Sequence, residues 1–130
     1  MTQKEKQLLL TDLCARLPYG VKVHIEYGDS PYGPATVTEI DVKHSKLIFN
    51  FPVPIENCKP YLRPMSSMTE EEINEFILIS DTVLWLGDKR STCILSLEQM
   101  EWLNAHHFDY RGLIPMGLAL EAKEGIYKTE

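Results

Sequence analysis

The chain has few cysteines, and none of its apolar runs approaches the ~20 residues that a membrane helix needs. Residues 1–13 lack the long apolar block and small-residue cleavage site of a secretory signal. The three cysteines, Cys14, Cys58 and Cys93, are odd in number and show no CxxC spacing. These absences predict a cytoplasmic protein without a membrane span, whose reduced thiols serve as small buried hydrophobic side chains.

Basic residues are scarce relative to acidic ones. The 13 Lys and Arg and the 19 Asp and Glu give a formal net charge of −6. Binding to a phosphate backbone depends on Lys and Arg that displace counterions, so this charge argues against generic nucleic-acid binding. A local basic face made of Lys22, His24, Lys43 and Lys46 stays open as an alternative, although Glu26 weakens it.

Sequence motifs for common catalytic chemistries are missing. The chain contains no GxSxG, P-loop, GxGxxG or HExxH sequence and no paired carboxylates at catalytic spacing. We therefore predict no metal and no cofactor, and we treat enzymatic activity as uncertain.

Length and composition predict one domain over residues 1–130, with enough surface to bury for a core without metal or disulfide. We predict an α+β fold built on a small, curled antiparallel sheet, either an SH3-like barrel or a meander. Residues 1–57 would form a helix and this sheet, residues 58–68 a proline-rich connector, and residues 69–130 a helical part with a short hairpin and a closing strand.

The N-terminal helix has clear sequence signals. Thr2 and Glu5 fit a capping box, which predicts a helix over residues 2–17. The predicted buried stripe follows at helical spacing and consists of Leu10, Leu13, Cys14 and Leu17.

Three strands are predicted next. Apolar residues alternate with polar ones over residues 21–27, which is typical of a half-buried strand. We expect a turn-rich loop over residues 28–34, a second strand over residues 35–42 with a bulge near Thr38-Glu39, and a hairpin at residues 43–46. A third strand then covers residues 47–51.

Four of the eight prolines lie between residues 52 and 67. Because proline lacks an N–H donor and fixes φ, this segment is predicted to be an extended strap rather than a central strand. The strap would expose Tyr61 and Arg63 as candidate binding residues.

Two further capping boxes predict helices in the C-terminal half. The first, Thr69 with Glu72, begins a helix whose predicted buried stripe is Ile73, Phe76 and Ile77. The second, Ser96 with Gln99, begins a helix that extends to about residue 107. Short strands are predicted at residues 82–86, 91–95 and 118–122.

The chemically richest stretch is His106 to Arg111. His107 falls on the buried face of the last predicted helix and His106 beside Trp102, and consecutive helical residues diverge too far to bind one metal ion. We interpret His107 as a satisfied core histidine and Asp109 as a cap for the N–H of residue 111 or 112. Arg111 would pair with Asp109, a nearby Glu or an anionic ligand.

Residues 13–23 (LCARLPYGVKV), 58–72 (CKPYLRPMSSMTEEE) and 102–122 (WLNAHHFDYRGLIPMGLALEA) resemble a family of short, uncharacterised proteins of Bacteroides-type gut bacteria and of their phages and mobile elements. Residues 28–56 and 80–92 look like variable parts of this family. The resemblance implies a phage-related or mobile-element setting. It implies no activity, cofactor or catalytic residue.

Together these patterns favour a small non-enzymatic binding or accessory protein of unknown partner, which acts through protein–protein contacts or self-association. Its candidate binding residues are Tyr61, Arg63 and Tyr110. The alternative is a small hydrolase or nuclease that uses His106, His107 and Asp109. One of the two histidines would act as a general base oriented by the Asp109 carboxylate, and Arg111 is a further candidate catalytic residue.

Overall fold

A computed structural model describes residues 1–27, 30–49, 51–79, 97–123 and 126–127. Its helices are α1 (Gln3–Arg16), α2 (Glu70–Ile79) and α3 (Leu97–Ala105). Its strands are β1 (Lys22–Tyr27), β2 (Ser30–Thr36), β3 (Glu39–Asp41), β4 (Lys46–Ile48), β5 (Pro52–Pro54), β6 (Cys58–Pro64), β7 (Phe108–Asp109) and β8 (Leu120–Glu121). The predicted α+β class is confirmed. The predicted hairpin over residues 82–95, Ser96 and Cys93 lie outside the described residues.

Helix α1 begins as its sequence predicts. Thr2 Oγ1 accepts the Glu5 N–H at 3.0 Å, and Glu5 accepts the Thr2 N–H at 2.9 Å, which completes the capping box. The buried face differs from the predicted stripe, because Leu9, Leu10 and Leu13 are buried while Cys14 is exposed. The expectation of buried thiols is therefore wrong for Cys14 and right for Cys58.

The larger sheet has β6 at its centre. Strand β6 pairs antiparallel with β1 and parallel with both β7 and β8, and β1 pairs antiparallel with β2. The sheet is therefore mixed rather than purely antiparallel. Strand β8 is shorter than the predicted closing strand over residues 118–122. The predicted alternation is also absent, because Leu118 and Ala119 are both buried.

The interpretation of residues 58–68 as a connector is wrong, because Cys58–Pro64 forms the central strand. Pro60 pairs with Val23 of β1, and the residues that follow this pair at the end of the ladder are Lys22 and Tyr61. The Tyr127 hydroxyl lies between those two residues, so the Tyr61 backbone faces β1. Since backbone N–H groups alternate between the edges of a strand, the donor that Pro60 lacks points away from β1.

Strand β2 begins within the segment that we predicted as a loop. Residues 30–32 pair with β1, and the register shifts between Val23 and Ile25. Gly33 lies opposite this irregularity at φ 134°, where a Cβ atom would come within 2.7 Å of the Val23 carbonyl oxygen. A glycine is required here because only a residue without Cβ permits this approach.

The smaller sheet, β3–β4–β5, is an antiparallel meander. No bulge joins residues 35–42 into one strand. Instead the chain leaves the larger sheet after Val37, whose N–H donates to Val21 O, and Thr38 N–H donates to Ile48 O of the smaller sheet. Of the two predicted alternatives, a barrel or a meander, the structure supports the meander.

Two hydrophobic clusters lie among the described residues. The first combines α1, both sheets and the 113–119 segment, and the second consists of Trp102, Leu103 and Phe108, with Phe76 and Ile79 of α2 packed against it. The first cluster draws on all three predicted sections of the chain. Within the described residues, no helix has the length and apolar character to cross a membrane.

Candidate functional site

The two adjacent histidines lie just after α3, which ends at Ala105 and not at residue 107 as predicted. His107 adopts φ 63°, a left-handed conformation, and its N–H donates to Asn104 O at 3.1 Å. This geometry closes the helix and turns the chain into β7. The histidines therefore belong to a helix-terminating turn.

His106 lies beside Trp102, as predicted. Its ring stacks on the indole with 4.0 Å between centroids, and its Nδ1 is 2.9 Å from Trp102 O. A neutral imidazole protonated at Nδ1 would donate this hydrogen bond. Trp102 O also accepts the His106 N–H at 3.0 Å, so the His106 ring adds a second hydrogen bond to a carbonyl of the last helical turn.

His107 is buried, but the prediction of a satisfied core histidine is wrong. Among the described residues its Nδ1 has no hydrogen-bond partner. The ring stacks on Tyr127 with 3.6 Å between centroids and 12° between planes. Burial, followed by the positive charge of Arg16, lowers the pKa of His107 to about 3. The imidazole is therefore neutral near pH 7.

Asp109 acts as a cap, although its donors differ from those predicted. Its two carboxylate oxygens accept the N–H groups of Leu113 at 2.8 Å and Ile114 at 2.9 Å, not those of Arg111 or Gly112. Gly112 adopts φ 75°, which turns the chain so that the later N–H groups face the carboxylate. Both oxygens are thus engaged by backbone donors rather than by an imidazole.

Arg111 pairs with α1 instead of with Asp109 or a Glu. Its Nε donates to Asp12 Oδ1 at 3.0 Å, and its Nη2 donates to the Tyr110 hydroxyl at 3.1 Å. Tyr110 in turn donates to Asn104 Oδ1 at 2.9 Å. The candidate residues Tyr110 and Arg111 are half-buried in one polar network that joins α1, α3 and the turn after β7.

The centre of this network is an ion pair that our sequence reasoning missed. Arg16 donates to both carboxylate oxygens of Asp12, at 2.8 and 3.1 Å, and both side chains are fully buried. Arg16 Nη2 also donates to Phe108 O of β7 at 2.6 Å. The spacing of Leu9, Asp12, Leu13 and Arg16 contains the signal, since i, i+3, i+4, i+7 places the charged pair on the buried face. We call Asp12, Arg16, Asn104, Tyr110 and Arg111 the Asp12 cluster.

The Asp12 cluster compensates its own buried charge. Two guanidinium groups neutralise one carboxylate, which compensates the desolvation of a buried charge. One polar atom is left over, because Arg16 Nη1 has no hydrogen-bond partner among the described residues. The arrangement holds α1 against β7.

The binding candidates Tyr61 and Arg63 do not lie on an exposed strap. Arg63 donates to both carboxylate oxygens of Glu72 and lies over the Phe108 ring, 4.2 Å from its centroid. Tyr61 is half-buried, and its hydroxyl is 3.3 Å from Nδ1 of His24. Both side chains are therefore engaged within the larger sheet and its helix.

The residues of the predicted basic face belong to two different sheets. Lys22 and His24 belong to β1 of the larger sheet, whereas Lys43 and Lys46 belong to the β3–β4 hairpin of the smaller sheet. His24 is also engaged by Glu26, at 2.7 Å. This separation weakens the nucleic-acid alternative.

Helix α2 buries a different side from the predicted one. Phe76 packs on Trp102 with 5.5 Å between centroids, Ile79 contacts the same cluster, and Glu72 pairs with Arg63. Ile73 is 42% exposed and Ile77 56% exposed, so the predicted stripe is wrong except for Phe76, which is half-buried. At 3.6 residues per turn, Ile73 and Ile77 lie roughly 110° around the axis from the docked side.

Leu78 adds to the surface of α2 with 78% exposure. We call Ile73, Ile77 and Leu78 the α2 face. The acidic residues Glu70, Glu71 and Glu75 are exposed beside it, and α2 contains no Lys or Arg. The α2 face is thus apolar with an acidic border.

The described residues contain no group of three His, Cys, Asp or Glu side chains that could hold a metal ion. No protein-family model matches the chain, and no curated protein and no solved structure is significantly similar to it.

Proposed function

We propose that the protein is a non-enzymatic binding or accessory protein that acts through protein–protein contacts at the α2 face. The observation that carries the proposal is the exposure of Ile73 and Ile77 on a helix that packs against the other described residues through a different side. An amphipathic helix normally turns its apolar stripe toward the core. Here part of the apolar stripe is exposed to solvent, and its burial against another polypeptide would be favourable.

The contacts that hold α2 in place support a role as a binding surface. The capping box of Thr69 and Glu72 fixes the first turn, with bonds of 2.9 and 3.1 Å. Arg63 then ties Glu72 to the central strand, and Phe76 packs on Trp102. A binding surface on a helix anchored at several points loses little conformational entropy when a partner docks.

The sequence resemblance supports a phage or mobile-element setting for this binding protein. The alternative hydrolase or nuclease has less support. His107 is buried, and Asp109 gives both carboxylate oxygens to backbone N–H groups. A general base must reach the proton that it abstracts, and neither group is placed for that.

The test measures association of the chain with itself, by sedimentation velocity, and with amphipathic helical peptides of either charge, by fluorescence anisotropy. We expect at least one such association, and we expect Ile73→Asp/Ile77→Asp to abolish it while the circular dichroism spectrum and the unfolding midpoint stay unchanged. If no association is found, or if it survives this double substitution, the proposal is wrong.

A further inference from the structure

We propose that the occupant of the α2 face is a basic amphipathic helix of a partner protein, with an apolar stripe flanked by Lys or Arg. This inference rests on the proposed function and names the chemistry of the partner. It depends on the shape of the α2 face, on its charged border, and on the charge of the whole chain.

The shape favours a helix as occupant. Ile73 and Ile77 are one turn apart, so their side chains form a row along the axis of α2. Rows of this spacing are the ridges that fit between the side chains of a second helix. An apolar stripe on the partner would cover both isoleucines, and Leu78 would extend the contact around α2.

The charged border favours a basic partner. Glu70 lies next to the row of isoleucines around the helix, while Glu71 and Glu75 lie near Leu78. All three are exposed, in contrast to Glu72, which is half-buried against Arg63. Three carboxylates without a cation on α2 create a negative rim that Lys or Arg of a partner would complement.

The same charges argue against a second copy of this chain. Self-association through α2 would bring six glutamates of two copies close together, and each chain carries a formal net charge of −6. Like charges placed together at an interface oppose association. A basic helix would instead be attracted by the same glutamates, and this attraction would raise its association rate.

The probes are synthetic 18-residue helices with leucine at i, i+3, i+4 and i+7 spacing. One carries lysine at all other positions, one carries glutamate there, and one has the leucine and lysine residues scrambled. Binding to the full chain is measured by fluorescence anisotropy at low and at physiological salt. Sedimentation velocity of the chain alone is recorded in parallel.

We expect the leucine–lysine helix to bind, the scrambled and glutamate peptides to bind at least tenfold more weakly, and salt to weaken the complex. Glu70→Gln/Glu71→Gln/Glu75→Gln should weaken binding about tenfold. The matched control Glu98→Gln/Glu101→Gln/Glu121→Gln removes three exposed carboxylates elsewhere and should change binding less than twofold.

The apolar part of the site has its own pair of variants. Ile73→Asp/Ile77→Asp should abolish binding of the leucine–lysine helix. Val42→Asp/Met116→Asp changes two exposed hydrophobic residues outside α2 and should have little effect. Equal effects of the two double substitutions would overturn the assignment to the α2 face.

The remaining outcomes separate this inference from the proposed function. If the glutamate helix binds as tightly as the lysine helix, or if the chain self-associates through Ile77, the basic occupant is wrong while contact through α2 stands. If no peptide binds and the chain stays monomeric, both fail.

Discussion

The guanidinium of Arg63 and the carboxylate of Glu72 form a bidentate ion pair with N–O distances of 2.9 and 2.8 Å. The pair joins the central strand β6 to the first turn of α2. Glu72 also accepts the Thr69 N–H and so closes the capping box. One carboxylate therefore fixes both the start of α2 and its position on the sheet.

Glu72→Gln separates these two roles, because glutamine can still serve in a capping box. We expect a loss of about 1 kcal/mol in the free energy of unfolding at pH 7, measured by urea denaturation. Arg63 lowers the pKa of Glu72, so its stabilisation is full above the pKa of an unfolded glutamate and is lost as the pH falls through the lower folded value. The difference from wild type should therefore shrink at acid pH. Glu70→Gln, in the same turn but exposed, is the control, and a pH-independent difference would contradict the assignment.

His107 gives a second pH dependence. Because burial lowers its pKa to about 3, the unfolded chain binds a proton near pH 6.5 while the folded chain does not. The stability that neutral His107 contributes should be present above pH 6.5 and decline progressively toward pH 3. In His107→Asn, which tolerates the left-handed conformation, this part of the decline should vanish. An NMR titration in which the His107 ring shifts near pH 6.5 would refute the buried neutral state.

Tyr127→Phe tests the hydroxyl inserted between β1 and β6. The Tyr127 oxygen accepts the Lys22 N–H at 2.8 Å, and the hydroxyl donates to Tyr61 O at 2.8 Å, with Lys22 O at 3.2 Å as a second acceptor. Without the hydroxyl these backbone groups lose their partner, which costs about 1–3 kcal/mol. Faster hydrogen exchange of the Lys22 amide is expected, with Tyr19→Phe at an exposed site as the control. Unchanged exchange would show that the hydroxyl is not needed there.

Asp12→Ala should be the most destabilising change in the Asp12 cluster. It leaves the buried Arg16 without its carboxylate, and breaking such a pair costs about 3–5 kcal/mol. Arg111→Met should cost much less, because its side chain is partly exposed and Arg16 still neutralises Asp12. The two losses are compared by chemical denaturation, and similar values would argue against Arg16 as the principal partner.

Substitutions at two neighbouring residues of α2, Phe76 and Ile77, should differ in their effect on stability. Ile77→Asp changes an exposed side chain and should alter the free energy of unfolding by less than about 0.5 kcal/mol. Phe76→Ala removes the ring packed on Trp102 and should cost about 2 kcal/mol. Thermal and urea unfolding of both variants would distinguish them, and a large loss in Ile77→Asp would mean that the α2 face is not free.

Local signals predicted local structure well. Both capping boxes within the described residues form with the predicted partners, Thr2 with Glu5 and Thr69 with Glu72. The alternation over residues 21–25 correctly identified β1 and its inward face. These features depend on residues a few positions apart, so they can be predicted from the sequence alone.

Features that depend on distant partners were missed. The prolines of β6 were predicted to exclude a central strand. Whether a proline interrupts the backbone pairing depends on which neighbour its absent N–H would face, and β1 and Tyr127 determine this in the folded chain. The direction in which α2 docks is set by Arg63 and Trp102, which outweigh its apolar stripe. The Asp12 and Arg16 pair follows the helical spacing of the buried face, but charged residues are rarely buried unless paired, so an apolar periodicity does not identify them.

The central position of β6 has a consequence for the order of folding. Its partners lie at both ends of the chain, with β1 beginning at Lys22 and β8 ending at Glu121. Pairings over such separations are slow, and the larger sheet cannot be completed until residue 121 has left the ribosome. The smaller sheet, from Glu39 to Pro54, involves only neighbouring segments and can form early. During synthesis the smaller sheet would therefore form while Leu62 and the other apolar residues of β6 are not yet covered by the C-terminal strands.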